Sequence, residues 1–181
     1  MAIPQGSSAP RITLRPAVPR DAELLRLWRS ETSVRRHQPL NDLSASQLRS
    51  DVANQRIGDL YRGRGEKFQW VVEADGQPAG WITLVVSNWE HGLAEVGYAL
   101  STPFQGRGLM AVALEQLVDD LFTGTTLERI EARCAIANVA SQVVLEKLGF
   151  TREGRLRSYF RLRGKRVDNY LYALLRDDRE V

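Results

Sequence analysis

The sequence predicts an α/β protein of the α+β kind: a mixed, mostly antiparallel sheet with helices on both faces. Three observations carry that prediction. Residues 68–86, "FQWVVEADGQPAGWITLVV", hold two apolar, β-rich runs separated by Asp75-Gly76 and Pro78, the turn chemistry of a hairpin. "LAEVGYAL" (93–100) follows with no helix between, which makes the middle of the chain antiparallel. Over residues 94–136 a strand, a long helix and another strand succeed one another, and such a crossover joins a parallel pair.

The remaining elements follow in order. "RITLRP" (11–16) alternates and stops at a proline, as a first strand does. Residues 20–30 have helical spacing, with Leu24, Leu27 and Trp28 on one face and Asp21 placed to cap the start. "SASQLRSDVANQR" (44–56) reads as a second helix behind an N-terminal serine. Leu109, Ala113, Leu117 and Leu121 step along a long amphipathic helix, and "RIEARCAI" (129–136) is the strand after it. "NVASQVVLEKLGF" (138–150) is a helix with Asn138 as cap and Gly149 as stop. The tail alternates on both sides of Arg163-Gly164-Lys165 and forms a closing hairpin.

The chain has 181 residues, 43% hydrophobic and 26% charged, which suits one domain over 11–178 behind a loose tail, 1–10. No run approaches the ~18 apolar residues that a membrane span needs. The lone cysteine, Cys134, permits no internal disulfide and no cysteine zinc site, and a reducing cytoplasm is the expected compartment. A net charge of +3 is too small to choose between an anionic ligand and nucleic acid. The two histidines, His37 and His91, have no metal-ligand spacing, so no metal is expected; His37 is kept as a candidate at a substrate mouth.

The stretch "PFQGRGLM" (103–110) carries the functional argument. Gly106, Gly108 and Ala111 satisfy a dinucleotide fingerprint, and Glu131 lies about 20 residues on, where a ribose-binding acid would stand. The context rejects that reading, because "STPFQ" separates the strand from the turn and the preceding strands are antiparallel. Free N–H groups at a helix N-terminus hold phosphate, and two glycines let a ligand approach the backbone. A strand ending just upstream suits a long ligand with a diphosphate at one end and an amide-bearing arm at the other, the shape of coenzyme A.

The turn resembles the Q/R-x-x-G-x-G/A signature of the GNAT superfamily of N-acetyltransferases, through Gln105 and Gly108, with Met110 standing in the last place. "QGRGLM" is similar to the variant found in the RimJ/RimL type that acts on ribosomal-protein N-termini. "NVASQVVLEKLGF" resembles the family's N-x-x-S helix, and "REGRLRSYFRLRGKRVDNYLYAL" its E-G…G…D hairpin. The resemblance implies a sheet splayed at its central parallel pair and acetyl transfer from acetyl-CoA to an amine by direct attack in a ternary complex. The amine is taken to be a protein N-terminal α-amine. A small amine such as an antibiotic, polyamine or amino acid, or a CoA-binding module without catalysis, are the alternatives. A homodimer is possible, no membrane is involved, and nucleic acid enters only through a ribosomal substrate.

By the same resemblance the cofactor lies along Val96, Gly97, Tyr98, Ala99 and Leu100, with a backbone N–H near Tyr98–Leu100 facing the acetyl oxygen. Its diphosphate rests on Gln105, Gly106, Arg107, Gly108, Leu109 and Met110, and Asn138 and Ser141 contact the arm. Gly97 equally suits a plain strand kink. Ser141 is the candidate proton donor, and Asn138 and Ser141 equally suit a helix start. Glu95 is the candidate base, with Trp81 and Trp89 near enough to desolvate it, and equally an ordinary strand glutamate. His37, Trp81, Glu95, Tyr159 and Asp168 are the acceptor-side candidates, Asp168 as a substrate contact or a hairpin brace. The basic run from Arg152 to Arg166 reads as the wet face of a hairpin, or as a surface for RNA, the adenosine 3′-phosphate or an acidic protein segment.

Overall fold

In the computed structural model, which describes residues 9–179, the chain runs β1 (Ile12–Pro16), α1 (Ala22–Ser30), α2 (Thr32–Arg35), α3 (Ala45–Asn54), α4 (Ile57–Leu60), β2 (Lys67–Ala74), β3 (Gln77–Asn88), β4 (Leu93–Leu100), α5 (Leu109–Gly124), β5 (Arg129–Ala135), α6 (Val139–Lys147), β6 (Thr151–Leu162) and β7 (Lys165–Leu175). Residues 1–8 of the expected tail lie outside the described residues. Asp75 and Gly76 take φ of 50° and 76°, and Arg163 and Gly164 take 51° and 78°. Both hairpins therefore close on paired left-handed residues, the turn whose twist matches the strands.

The seven strands make one sheet in the order β1-β2-β3-β4-β5-β7-β6. Every pairing is antiparallel except β4 with β5. That parallel ladder ends after Leu93–Arg129, Ala94–Ile130 and Glu95–Glu131. Beyond it β4 continues to Leu100 on β3, while β5 continues to Ala135 on β7. The two strands diverge, and a wedge opens in the middle of the sheet.

Helices cover both faces. On one, Leu114, Leu117 and Leu121 of α5 and Leu145 of α6 share a core with Phe68, Ile82, Leu84 and Ile130. The α5 stripe falls where its spacing places it, with Leu109, Ala113, Leu117 and Leu121 all buried. On the other face Ala22, Leu25, Trp28, Leu48 and Val52 pack on Val71 and Trp81. Among the described residues no helix is long and apolar enough to cross a membrane.

The helix over 44–56 starts as read, with Ser44 Oγ accepting from Gln47 N at 3.2 Å and Gln47 Oε1 accepting from Ser44 N at 2.8 Å. The first helix differs from expectation. Its buried face is Ala22, Leu25 and Trp28, while Leu27 is 49% exposed. The spacing allowed either stripe, and the α3 contact chose the one containing the small Ala22. Asp21 does not cap α1. Its carboxylate accepts from Val18 N at 2.8 Å and from Arg15 Nη1 at 2.7 Å and Nη2 at 2.9 Å. Burial opposes the charge on Asp21, but the hydrogen bonds from Arg15 and Val18 outweigh it and hold the carboxyl below its ordinary value.

Asp21→Asn is therefore expected to cost about 2 kcal/mol, less than a fully buried pair because Arg15 keeps Glu73. The sign of the pH effect follows from the lowered folded value. The stabilisation is complete above the unfolded carboxylate value of about 4 and is lost as pH falls through the folded one. Urea melts of both proteins from pH 7 downward check this, and the gap between them should close in acid.

Candidate active site

The wedge between β4 and β5 opens into a groove of about 530 Å³ lined by Tyr98, Ala99 and Leu100 of β4, the turn at Gln105–Met110, and Asn138, Ala140, Ser141, Val143 and Val144 of α6. Gly106 and Gly108 both have positive φ, 72° and 73°, which explains glycine at these two positions. A Cβ built at either would meet nothing within 4 Å, so both face open space at the start of α5. The first N–H groups of that 16-residue helix have no partner within the helix, and its dipole is positive there. Such a turn has the features that suit a phosphate or diphosphate.

Leu109 and Met110 are buried beneath the turn, and Arg107 is exposed beside it. The Gln105 side chain is engaged inside the protein, donating through Nε2 to Leu100 O at 2.7 Å and Ser33 Oγ at 3.2 Å. Its place in the signature sequence is explained by loop closure.

Where the ladder has stopped, the edge of β4 is free. Gln38 Nε2 donates to Tyr98 O at 2.8 Å, so that carbonyl faces the opening. A strand residue's N–H and C=O leave the same edge, so Tyr98 N–H faces it too. Val96 is buried in the core and lends only its backbone. Gly97 has open space where a side chain would project.

At the base of the wedge Tyr98 Oη and Ser141 Oγ are 2.9 Å apart. Burial pushes the Tyr98 hydroxyl well above its ordinary value, against a small opposing effect of the Ser141 hydrogen bond. Cys134 is buried beside them, and burial pushes its thiol up to about 11. Tyr98 and Cys134 therefore hold their protons at neutral pH. Asn138 caps α6, its Oδ1 accepting from Ser141 N at 3.3 Å, while lining the groove.

A slot of about 260 Å³ adjoins the groove on the far side of the wedge, lined by His37, Gln38, Glu95, Gly97, Arg133, Asn138, Ser141, Tyr159 and Asn169 among others. Glu95 lies in it, but its carboxylate is bound by Arg133 Nη1. Arg133 Nη2 in turn donates to Glu131 at 2.8 Å, and Arg129 Nε donates to Glu131 at 2.9 Å. The expected tryptophan shell around Glu95 is absent. Trp81 is 3% exposed and stacks on Trp28 at 6.3 Å, and Trp89 Nε1 donates to Gly65 O at 2.7 Å. Trp81 is thus a core residue and not an acceptor contact. Register explains the difference: Trp81 stands opposite Ala99, whereas Glu95 stands opposite Val85.

Asp168 braces the hairpin. Its Oδ1 accepts from Ser158 N at 2.7 Å and its Oδ2 from Arg155 Nε at 2.7 Å, and these bonds hold it below its ordinary value. Ser158 has a φ of 51° within an irregular stretch of β6, and the bulge sets Tyr159 over the slot, 5.9 Å from the Arg133 guanidinium. His37 lines the groove and the slot alike. His91 is exposed at the opposite end of β4.

Sequence reasoning missed three groups. Gln38 and Arg133 give no local signal, since each matters through a partner on another element. Asn169 is 2% exposed, lines the slot, and its Oδ1 has no hydrogen-bond partner among the described residues. Buried amide oxygens are nearly always satisfied, which makes this one an exception beside the slot. The alternation of the closing strand placed it facing Ala135, but nothing local marks it as unsatisfied.

Comparison with known proteins identifies the family. Residues 11–151 match the family model described as "Acetyltransferase (GNAT) domain". An uncharacterized N-acetyltransferase, p20 of Bacillus licheniformis, is 32% identical over 92% of this chain and 93% of its own length. The spermidine N(1)-acetyltransferase of Escherichia coli K12 is 30% identical over 87% of this chain and 82% of its own. Among solved structures, Mycobacterium smegmatis RimJ in complex with CoA-disulfide superposes with a TM-score of 0.81 at 26% identity, covering 96% of this chain and 88% of that one.

Proposed function

The protein belongs to the GNAT acetyltransferases and is an N-acetyltransferase, and from that premise we propose that it binds acetyl-CoA in the groove between β4 and α6 and acetylates the α-amine of a protein or peptide N-terminus. When bound, acetyl-CoA supplies an acetyl thioester. The glycine cradle fits its diphosphate, and the free edge of β4 fits its amide-bearing arm. Tyr98 N–H is a donor for the acetyl oxygen as negative charge develops on it. Ser141 would give its Oγ proton to the leaving sulfur, with Tyr98 Oη hydrogen-bonded to it at 2.9 Å, and the proton released by the attacking nitrogen would restore the hydroxyl through solvent.

One observation carries the choice of amine. The carboxylate that lines the slot, Glu95, is engaged by Arg133 and not free. An α-amine, with a pKa near 8, is about a quarter neutral at pH 7.5, whereas an alkylamine near 10.4 is about 0.1% neutral. A site with its carboxylate tied suits the amine that needs least help. The spermidine acetyltransferase relative keeps the polyamine reading as the rival, and rates on an N-terminal peptide and on spermidine under one set of conditions separate the two.

Acetyl-CoA at 100 times its dissociation constant is expected to stabilise the protein by about 2.7 kcal/mol, a rise in Tm of roughly 5–10 °C for a chain of this size. NAD and NADP at the same concentration should leave Tm unchanged. Stabilisation by NAD alone would sink the reading of the glycine turn.

A further inference from the structure

Beyond the groove and slot lies a third concavity, a cup of about 850 Å³. Its walls are Arg36 and His37 from the segment after α2, the β5–α6 connection at Ile136–Asn138, and Arg155, Arg163, Arg166 and Asp168 from the closing hairpin. It is continuous with the slot, since His37, Ala135 and Asn138 line both. Two segments more than a hundred residues apart thus bring four guanidiniums to one mouth. Arg155 is neutralised by Asp168 at 2.5 Å. Among the described residues Arg36, Arg163 and Arg166 form no ion pair with a carboxylate. Arg166 Nη1 donates only to Ser158 O, at 3.2 Å.

His37 registers the resulting field. Burial is the largest influence lowering its pKa, and the charges of Arg36 and Arg163 lower it further. Arg15, Arg35, Arg129, Arg133 and Arg176 have carboxylate partners, whereas the cup gathers Arg36, Arg163 and Arg166 at one mouth with none among the described residues. Three uncompensated cations around one cup attract anions and repel cations. They oppose a polyamine, which carries several positive charges of its own.

We propose that the acceptor is a peptide whose free amino end is followed within a few residues by acidic side chains, the amine entering the slot while the carboxylates are held in the cup by Arg36, Arg163 and Arg166. This rests on the N-terminal acetyltransferase reading and narrows it. The cup's volume accommodates several residues of extended chain, more than a small amine fills.

The test is a set of initial rates with peptides that differ only at positions 2 and 3: Ala-Glu-Glu, Ala-Ala-Ala and Ala-Lys-Lys ahead of a common tail. Spermidine and free glutamate are added as small acceptors. The expected order in kcat/KM is acidic, neutral, basic, with the extremes separated roughly tenfold to a hundredfold at low salt, as for a few solvent-accessible charge pairs. The separation should shrink by 0.5 M salt, a readout that needs no variant. In Arg163→Glu/Arg166→Glu the order should reverse while acetyl-CoA still raises Tm. Equal rates on the three peptides, a preference for lysine, or an order unchanged by charge reversal overturns the proposal and leaves N-terminal acetylation standing. Acetylation of glutamate in preference to every peptide overturns the peptide occupant. If acetyl-CoA binds and no peptide is acetylated, the functional reading itself falls.

Discussion

Ser141→Ala is expected to lower kcat about 10²-fold and to leave the KM for acetyl-CoA within about twofold, the pattern of an interaction made only as charge develops. The geometry supplies the reason. Ser141 Oγ sits at the base of the wedge and receives support from Tyr98 Oη at 2.9 Å. A positioned proton donor contributes 10²–10⁴-fold, and a thiolate is a fair leaving group, which points to the low end. Tyr98→Phe should cost a similar amount, and the double variant little more than either alone, because groups that act as a unit through one hydrogen bond are not additive. Burial raises the Tyr98 hydroxyl above tyrosine's ordinary value of about 10, so neither residue should introduce an alkaline limb below that pH. Steady-state kinetics from pH 6 to 10 on all four proteins decide the matter. Full kcat in Ser141→Ala would reduce Ser141 to the first turn of its helix, and strict additivity would show that Tyr98 and Ser141 act separately.

Gly108→Val is expected to weaken acetyl-CoA binding by roughly 10²-fold or more, since a charged hydrogen bond to the cradle is worth about 1.5–3 kcal/mol and the new side chain would occupy the cradle's open side. The substitution also strains the backbone, because φ is 73° and a β-branched residue resists that region at a cost of about 1–2 kcal/mol. A control separates the two effects. Gly76 has a φ of 76° and open space around it, but lies in the β2–β3 turn away from the groove. Gly76→Val should show the same loss of stability in urea with unchanged affinity by calorimetry. If both variants bind acetyl-CoA normally, the glycine turn is a structural feature only.

Much of this was legible in the linear sequence. The closing hairpin was readable from Arg163-Gly164-Lys165, the α5 stripe from Leu109 through Leu121, and the cap of α3 from Ser44 and Gln47. The glycine turn that opens α5 was readable because Gly106 and Gly108 immediately precede an apolar periodic run. The region 30–65 was least legible. Its two extra helices, α2 and α4, are four residues each and too short for a periodicity to show. The face of α1 was misread because two stripes fitted the same eleven residues, and packing against α3 chose between them. Glu95 lies in an ion pair and not in an apolar shell, because strand register sets Val85 opposite it and Trp81 opposite Ala99, a pairing no local stretch reveals.

By itself the sequence determined the order of the strands and longer helices, both tight turns, the long amphipathic helix and the glycine turn before it. Each of these is a property of a short window, set by allowed φ, side-chain periodicity and free N–H groups at a helix start. Only the tertiary structure decided what those elements do together. It ended the parallel ladder at Glu95–Glu131, set Tyr98 against Ser141 across 43 residues, tied Glu95 to Arg133 across 38, and gathered Arg36 with Arg163 and Arg166 at one mouth. Such contacts depend on where strands separate and which faces they present. Those outcomes follow from closing the whole core, because no short window contains both partners of any one of them.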